Sequence, residues 1–199
     1  MLPIEFEEAA ILRGSFVTGL SDDEFFRFCQ ENDSVRVERT ATHEIVIMPP
    51  AGNESSRSSG SVYFQLALWA QQTGSGYTFE SSAGFSLPDG SVLSPDASWM
   101  NTSAWESLTD EQRQKFSPVC PDFVVEVKSP SDRIKTLQAK MEQWLANGAK
   151  LGFLLHVEAE TAYLYRPGQP VEIIQGFLTE LSGEPILPGF RLNLRKLRK

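Results

Sequence analysis

The chain has few features that would fix its class at once. It carries two cysteines, Cys29 and Cys120, and their positions do not have metal-ligand spacing. They read as reduced thiols, in the core or near the surface, of a cytoplasmic protein. No apolar run approaches about 18 residues, so no membrane span is expected. The start, Met1 to Glu8, lacks a basic region, and no signal peptide is expected there. There is no internal repeat, no low-complexity segment and no glycine loop built to cradle a phosphate. Positive charge is in deficit: 18 Lys and Arg stand against 26 Asp and Glu, a net charge of −8. That balance counts against simple non-specific nucleic-acid binding, which depends on a basic surface.

What is present is enough for one domain of 199 residues, with an arm at 1–20 and a core at about 21–195. Its organising stretch is Pro121 to Lys128, followed by Ser129-Pro130-Ser131-Asp132. Phe123, Val124, Val125 and Val127 suit a strand buried on both faces. Side chains alternate along a strand, so Asp122, Glu126 and Lys128 share one face. Charges in such a strand are costly unless paired or metal-bound. A carboxylate and an ammonium two residues apart at a strand end suit metal-assisted hydrolysis, although Glu-x-Lys taken alone is more often a local ion pair, here Glu126–Lys128. Asp122 lies roughly 13 Å from Glu126, at about 3.3 Å per residue, and is a supporting residue at most.

The remaining chain reads as alternating elements. Ser21-Asp22-Asp23-Glu24 is a capping box opening a helix to about Glu31. Val35–Arg39 and Glu44–Met48 form a hairpin in which Arg36 and Glu38 share a face. A helix from about Glu54 to Thr73 turns Val62, Leu66, Trp69 and Ala70 inward. Strands follow at Tyr77–Glu80, Phe85–Leu87 and Ser91–Met100. Thr109-Asp110-Glu111-Gln112 is a second capping box, within an insert at 101–118 that could wall a groove. After Asp132, the expected N-cap, a helix runs to about Asn147 with Gly148 as its C-cap. Ile134, Leu137, Met141, Trp144 and Leu145 form its buried stripe, flanked by Gln138 and Lys140. Leu151–Val157 reads as a buried strand, so the Glu126 strand, this helix and that strand form a crossover with parallel strands. A hairpin at 161–175 and a final strand or turn near Leu187 to Leu194 complete the chain.

Upstream of the organising strand stands Ser94-Pro95-Asp96. Pro-Asp, a gap and then Glu-x-Lys is the pattern of the PD-(D/E)XK nucleases. With Arg36-Val37-Glu38, Glu44 to Pro50, Pro121 to Asp132, Lys140 and Leu187-Pro188-Gly189-Phe190, the chain resembles the Uma2 family of restriction-endonuclease-like proteins over about residues 20–195. The resemblance implies an α/β domain with a PD-(D/E)XK core, a mixed β-sheet flanked by helices. It implies DNA cleavage with Mg²⁺ or Mn²⁺, whose preferred ligands are hard oxygens. Asp96, Glu126 and the Val127 backbone carbonyl would hold the metal, and Lys128 would orient or activate water. Glu38 would be either an extra ligand or a solvent-facing strand residue. Gln138 and Lys140 would either reach the site or stay on the surface. Relatives often carry a histidine near the start of the 54–73 helix; here Arg57 is a candidate phosphate contact. His156 stands where many relatives carry an acid, and reads as structural.

The acidic balance does not exclude this reading, because a metal site itself lowers the charge. Arg133, Lys135 and Lys140 could form a local basic rim, or the tail of Arg191, Arg195, Lys196, Arg198 and Lys199 could, unless that tail is merely solvated. A homodimer would supply two sites for two strands. The rival reading is a non-catalytic nucleic-acid- or protein-binding module on the same fold. A glycosidase carboxylate pair explains neither the lysine nor the aromatic pattern.

Overall fold

The computed structural model describes residues 9–198, so residues 1–8 of the expected arm and Lys199 of the tail lie outside the described residues. The elements in order are β1 (Ala10–Leu12), α1 (Ser15–Thr18), α2 (Asp22–Glu31), β2 (Arg36–Arg39), β3 (Ile45–Met48), α3 (Asn53–Thr73), β4 (Gly76–Glu80), β5 (Phe85–Ser86), β6 (Val92–Leu93) and β7 (Ala97–Asn101). They continue with α4 (Thr102–Glu106), α5 (Asp110–Gln114), β8 (Phe123–Val127), α6 (Ile134–Ala146), β9 (Leu151–His156), β10 (Thr161–Tyr165), β11 (Glu172–Gln175), β12 (Glu180–Ser182) and β13 (Arg191–Asn193). A short 3-10 turn, Leu194–Leu197, follows β13.

The main sheet runs β11-β10-β9-β8-β7-β4, with β8 near its middle. The β8–β9 pair is parallel and its other pairs are antiparallel, so the sheet is mixed as expected. Phe123, Val125 and Val127 face a core shared with Val62, Leu66 and Trp69 of α3. Val124 faces the opposite core, with Leu137, Met141 and Trp144 of α6. Glu126 lies on that second face, where α6 covers the sheet. A second sheet, β1-β3-β2-β6-β5, carries the β2–β3 hairpin, with β1 as its edge strand.

The single strand expected over Ser91–Met100 is two strands. β6 pairs with β2 and β5 in the second sheet, and β7 pairs with β8 in the main one. Ser94-Pro95-Asp96 makes the passage between them, and Pro95 has no N–H to continue a ladder. Both capping boxes form, at Ser21–Glu24 and Thr109–Gln112. The cap expected at Asp132 does not. Asp132 accepts from the Ser129 N–H to close the preceding turn, and α6 starts from Arg133 without a side-chain cap. At its other end Asn147 is the C-cap, and Gly148 follows at φ +118°. The closing strand β13 pairs with β12, a partner whose three residues have no readable period.

Candidate active site

Four separated stretches meet at the C-terminal end of β8. Register brings the first two together: Ala97 opposes Val125, so Asp96 comes level with the β8 end. Asp96 Oδ2 accepts the Val127 backbone N–H at 2.7 Å. Its Oδ1 lies 3.4 Å from Arg36 Nη1 on β2. Arg36 Nη2 also donates to the Ser94 carbonyl at 2.8 Å.

Glu126 is almost fully buried and paired with Lys140 of α6, Nζ to Oε1 at 2.9 Å. The same ammonium reaches Glu38 Oε1 at 2.8 Å and the Ser94 carbonyl at 3.1 Å. Glu38 Oε1 also accepts the Ser94 backbone N–H at 3.0 Å. Trp144, one helical turn beyond Lys140, donates its indole N–H to Glu126 Oε1 at 3.0 Å. Three carboxylates therefore face two cations, Arg36 and Lys140, in a largely dry corner.

The electrostatics follow from that count. Burial pushes the Glu126 carboxyl up to about 7; Lys140 opposes the shift, and neighbouring Asp96 and Glu38 add to it. Burial works against the Lys140 charge, but Glu126 and Glu38 outweigh it and hold the ammonium protonated. For Arg36 likewise, burial is overcome by Asp96, Glu38 and Glu126. The acid in excess is the group that yields, and that group is Glu126.

The other expected residues fall as follows. Glu38 is buried within the cluster, so it is not a solvent-facing strand residue. Lys140 is neither a surface lysine nor part of a basic rim, because its side chain is only 14% exposed and fully partnered. Lys128 turns its ammonium to the Ser129 carbonyl at 2.9 Å, beside His156. Burial and the Lys128 charge together lower the His156 pKa. Asp122 sits at the far end of β8, where it accepts from Asn101 N and Nδ2 at 2.9 and 2.7 Å and pairs with Lys150 at 2.6 Å. Gln138 is half-buried on α6 and makes none of the cluster's contacts. Arg57 pairs with Glu54 and donates to the Leu197 carbonyl. In the tail, Arg198 pairs with Glu160. Burial raises the thiols of Cys29 and Cys120 to about 11 and about 12.

Arg36 and Trp144 enter the cluster without having been singled out for it. Arg36 could have been found from its shared face with Glu38. Trp144 could not, since helical spacing marks it only as apolar.

The donor chemistry suits a hard divalent cation, and the Lys140 ammonium already stands among these oxygens as a cation. Among the described residues, however, no group of three His, Cys, Asp or Glu side chains is set to hold a metal ion as they stand.

Residues 22–195 match the model of Uma2, described as "putative restriction endonuclease". The chain belongs to the Uma2 family. Its membership supports a nuclease-like role for the protein. The crystal structure of "a putative nuclease belonging to DUF820" from Anabaena variabilis ATCC 29413 superposes with a TM-score of 0.74 at 16% identity. That match covers 89% of this chain and 97% of the other, and establishes a shared fold. No curated protein matches the chain.

Proposed function

We propose that this Uma2 protein is a divalent-metal-dependent DNA endonuclease of the PD-(D/E)XK type, hydrolysing phosphodiester bonds. The observation that carries the reading is the convergence of Glu38, Asp96 and Glu126, from three separate stretches, on resident cations at one strand end. Buried carboxylates gathered in this way suit a cation site better than a structural salt bridge, because the acids outnumber the cations.

Asp96 and Glu126, with the Val127 carbonyl, would hold Mg²⁺ or Mn²⁺, and Glu38 stands ready as a further oxygen donor. Such an ion, when bound, polarises the scissile phosphate and stabilises the leaving oxygen. The chain's own residues set the stage. The Val127 N–H fixes one oxygen of Asp96, and Arg36 holds the other. Trp144 fixes Glu126. Lys128, at the more open strand end, would orient the attacking water or meet the developing negative charge. A homodimer would provide the second site that a double-strand cut requires.

The net charge of −8 and the closed pairing of the cluster favour one other reading, a binding module without catalysis. Supercoiled plasmid incubated with Mg²⁺ or Mn²⁺, with and without chelator, separates the two. The endonuclease reading expects metal-dependent nicking or linearisation by the parent and its loss in Glu126→Gln. Equal cutting by the parent and that variant would remove Glu126 from the site. No cutting by the parent would leave the binding module.

A further inference from the structure

We propose that Lys140 is the resident cation of the acidic cluster, and that a divalent ion binds by expelling its ammonium from between Glu38 and Glu126. The proposal rests on the metal-site reading above and adds what occupies the site beforehand and what must leave.

The Lys140 ammonium has three N–H groups and three oxygen neighbours: Glu38 Oε1 at 2.8 Å, Glu126 Oε1 at 2.9 Å and the Ser94 carbonyl at 3.1 Å. Its bonding is complete without water, and its side chain is 14% exposed. This is the arrangement of a cation seated in an oxygen cage. A magnesium-sized ion binds such oxygens at about 2.1 Å. Bound to the remaining oxygens of these carboxylates, it would lie only a few ångströms from the ammonium, in a low-dielectric corner where the two positive charges repel strongly. Ion and ammonium therefore exclude one another. The exchange is favoured by charge, since Arg36 and Lys140 together leave one of the three carboxylates unmatched, and a divalent ion in place of the ammonium supplies that missing charge. It is opposed by desolvation of the incoming ion and by the three bonds Lys140 gives up. Lys140 stands on a helix, and its long side chain can swing outward along the surface without unfolding α6.

The test is Mn²⁺ calorimetry on the parent, on Lys140→Met and on Lys140→Met combined with Glu126→Gln. If Lys140 competes, the Met variant binds Mn²⁺ at least about tenfold more tightly than the parent, the effect of removing roughly one ion-pair equivalent of opposition. The double variant loses that gain. Equal or weaker binding by Lys140→Met overturns the proposal, and so does absence of binding in both, because removing the competitor must open the site.

Lys140→Met leaves Glu126 and Glu38 without their partner, so a second measurement keeps the parent chain intact. The parent is treated with an amine-acylating reagent with and without saturating Mn²⁺, and the modified lysines are read by mass spectrometry. Lys140 should be protected without the ion and reactive with it. Protection that persists in Mn²⁺ overturns the proposal. Plasmid cleavage is read separately. Exchange without cutting sinks only the endonuclease reading, and cutting with Lys140 still protected sinks only this one.

Discussion

Trp144 donates its indole N–H to Glu126 Oε1 across 3.0 Å, inside the core between α6 and the main sheet. The bond links the helix to the most buried acid of the cluster. Trp144→Phe keeps the ring packed near Phe85 but leaves Glu126 short of a buried donor. The expected loss is about 1–3 kcal/mol of stability. Urea unfolding of parent and variant measures it, and identical midpoints would mean that the bond contributes nothing.

Glu126 also predicts a pH dependence. Its folded pKa of about 7 lies above the ordinary value of 4.5. Between those values the unfolded chain releases the proton while the folded chain keeps it. Stability from this group is therefore greatest below about pH 4.5 and falls as pH rises through 7. Glu126→Gln, a neutral mimic, should flatten that decline. Unfolding midpoints at pH 5 and pH 8 check the sign: the parent should lose more than the variant on going up.

Lys128 is expected to act on rate and not on metal affinity. Lys128→Ala should lower metal-dependent cleavage by roughly a hundredfold, the scale of losing one well-placed charge-stabilising group, with Mn²⁺ binding kept. An unchanged rate would show that Lys128 serves only its contact with the Ser129 carbonyl.

Asp122 should behave in the opposite way. Asp122→Ala strands the Asn101 N–H and frees Lys150, at a cost of about 1–3 kcal/mol. The cleavage rate per folded molecule should hold. A rate that falls without loss of stability would bring Asp122 back into the site.

Much of this arrangement is legible in the residue order, for physical reasons. The capping boxes at Ser21–Glu24 and Thr109–Gln112 are local, so four residues suffice to announce them. The crossover from β8 through α6 to β9 is announced by two apolar strands around one amphipathic helix. The charged end of β8 stands out because Glu126 interrupts an apolar run. What sequence periodicity does not carry is which charges meet. Lys140 flanks an apolar stripe, a position that fits a surface lysine as well as a buried one. Only the passage at Pro95 between two sheets brings Ser94 and Glu38 within its reach. Trp144 is counted as apolar, yet its one polar atom matters most here.

Because that passage joins distant stretches, the cluster is a late product of synthesis. Arg36 and Glu38 leave the ribosome early, but their partners Lys140 and Trp144 follow about a hundred residues later. No nascent chain or fragment lacking the segment through Trp144 can assemble the cluster. Whatever chemistry the site performs is withheld from incomplete chains by topology.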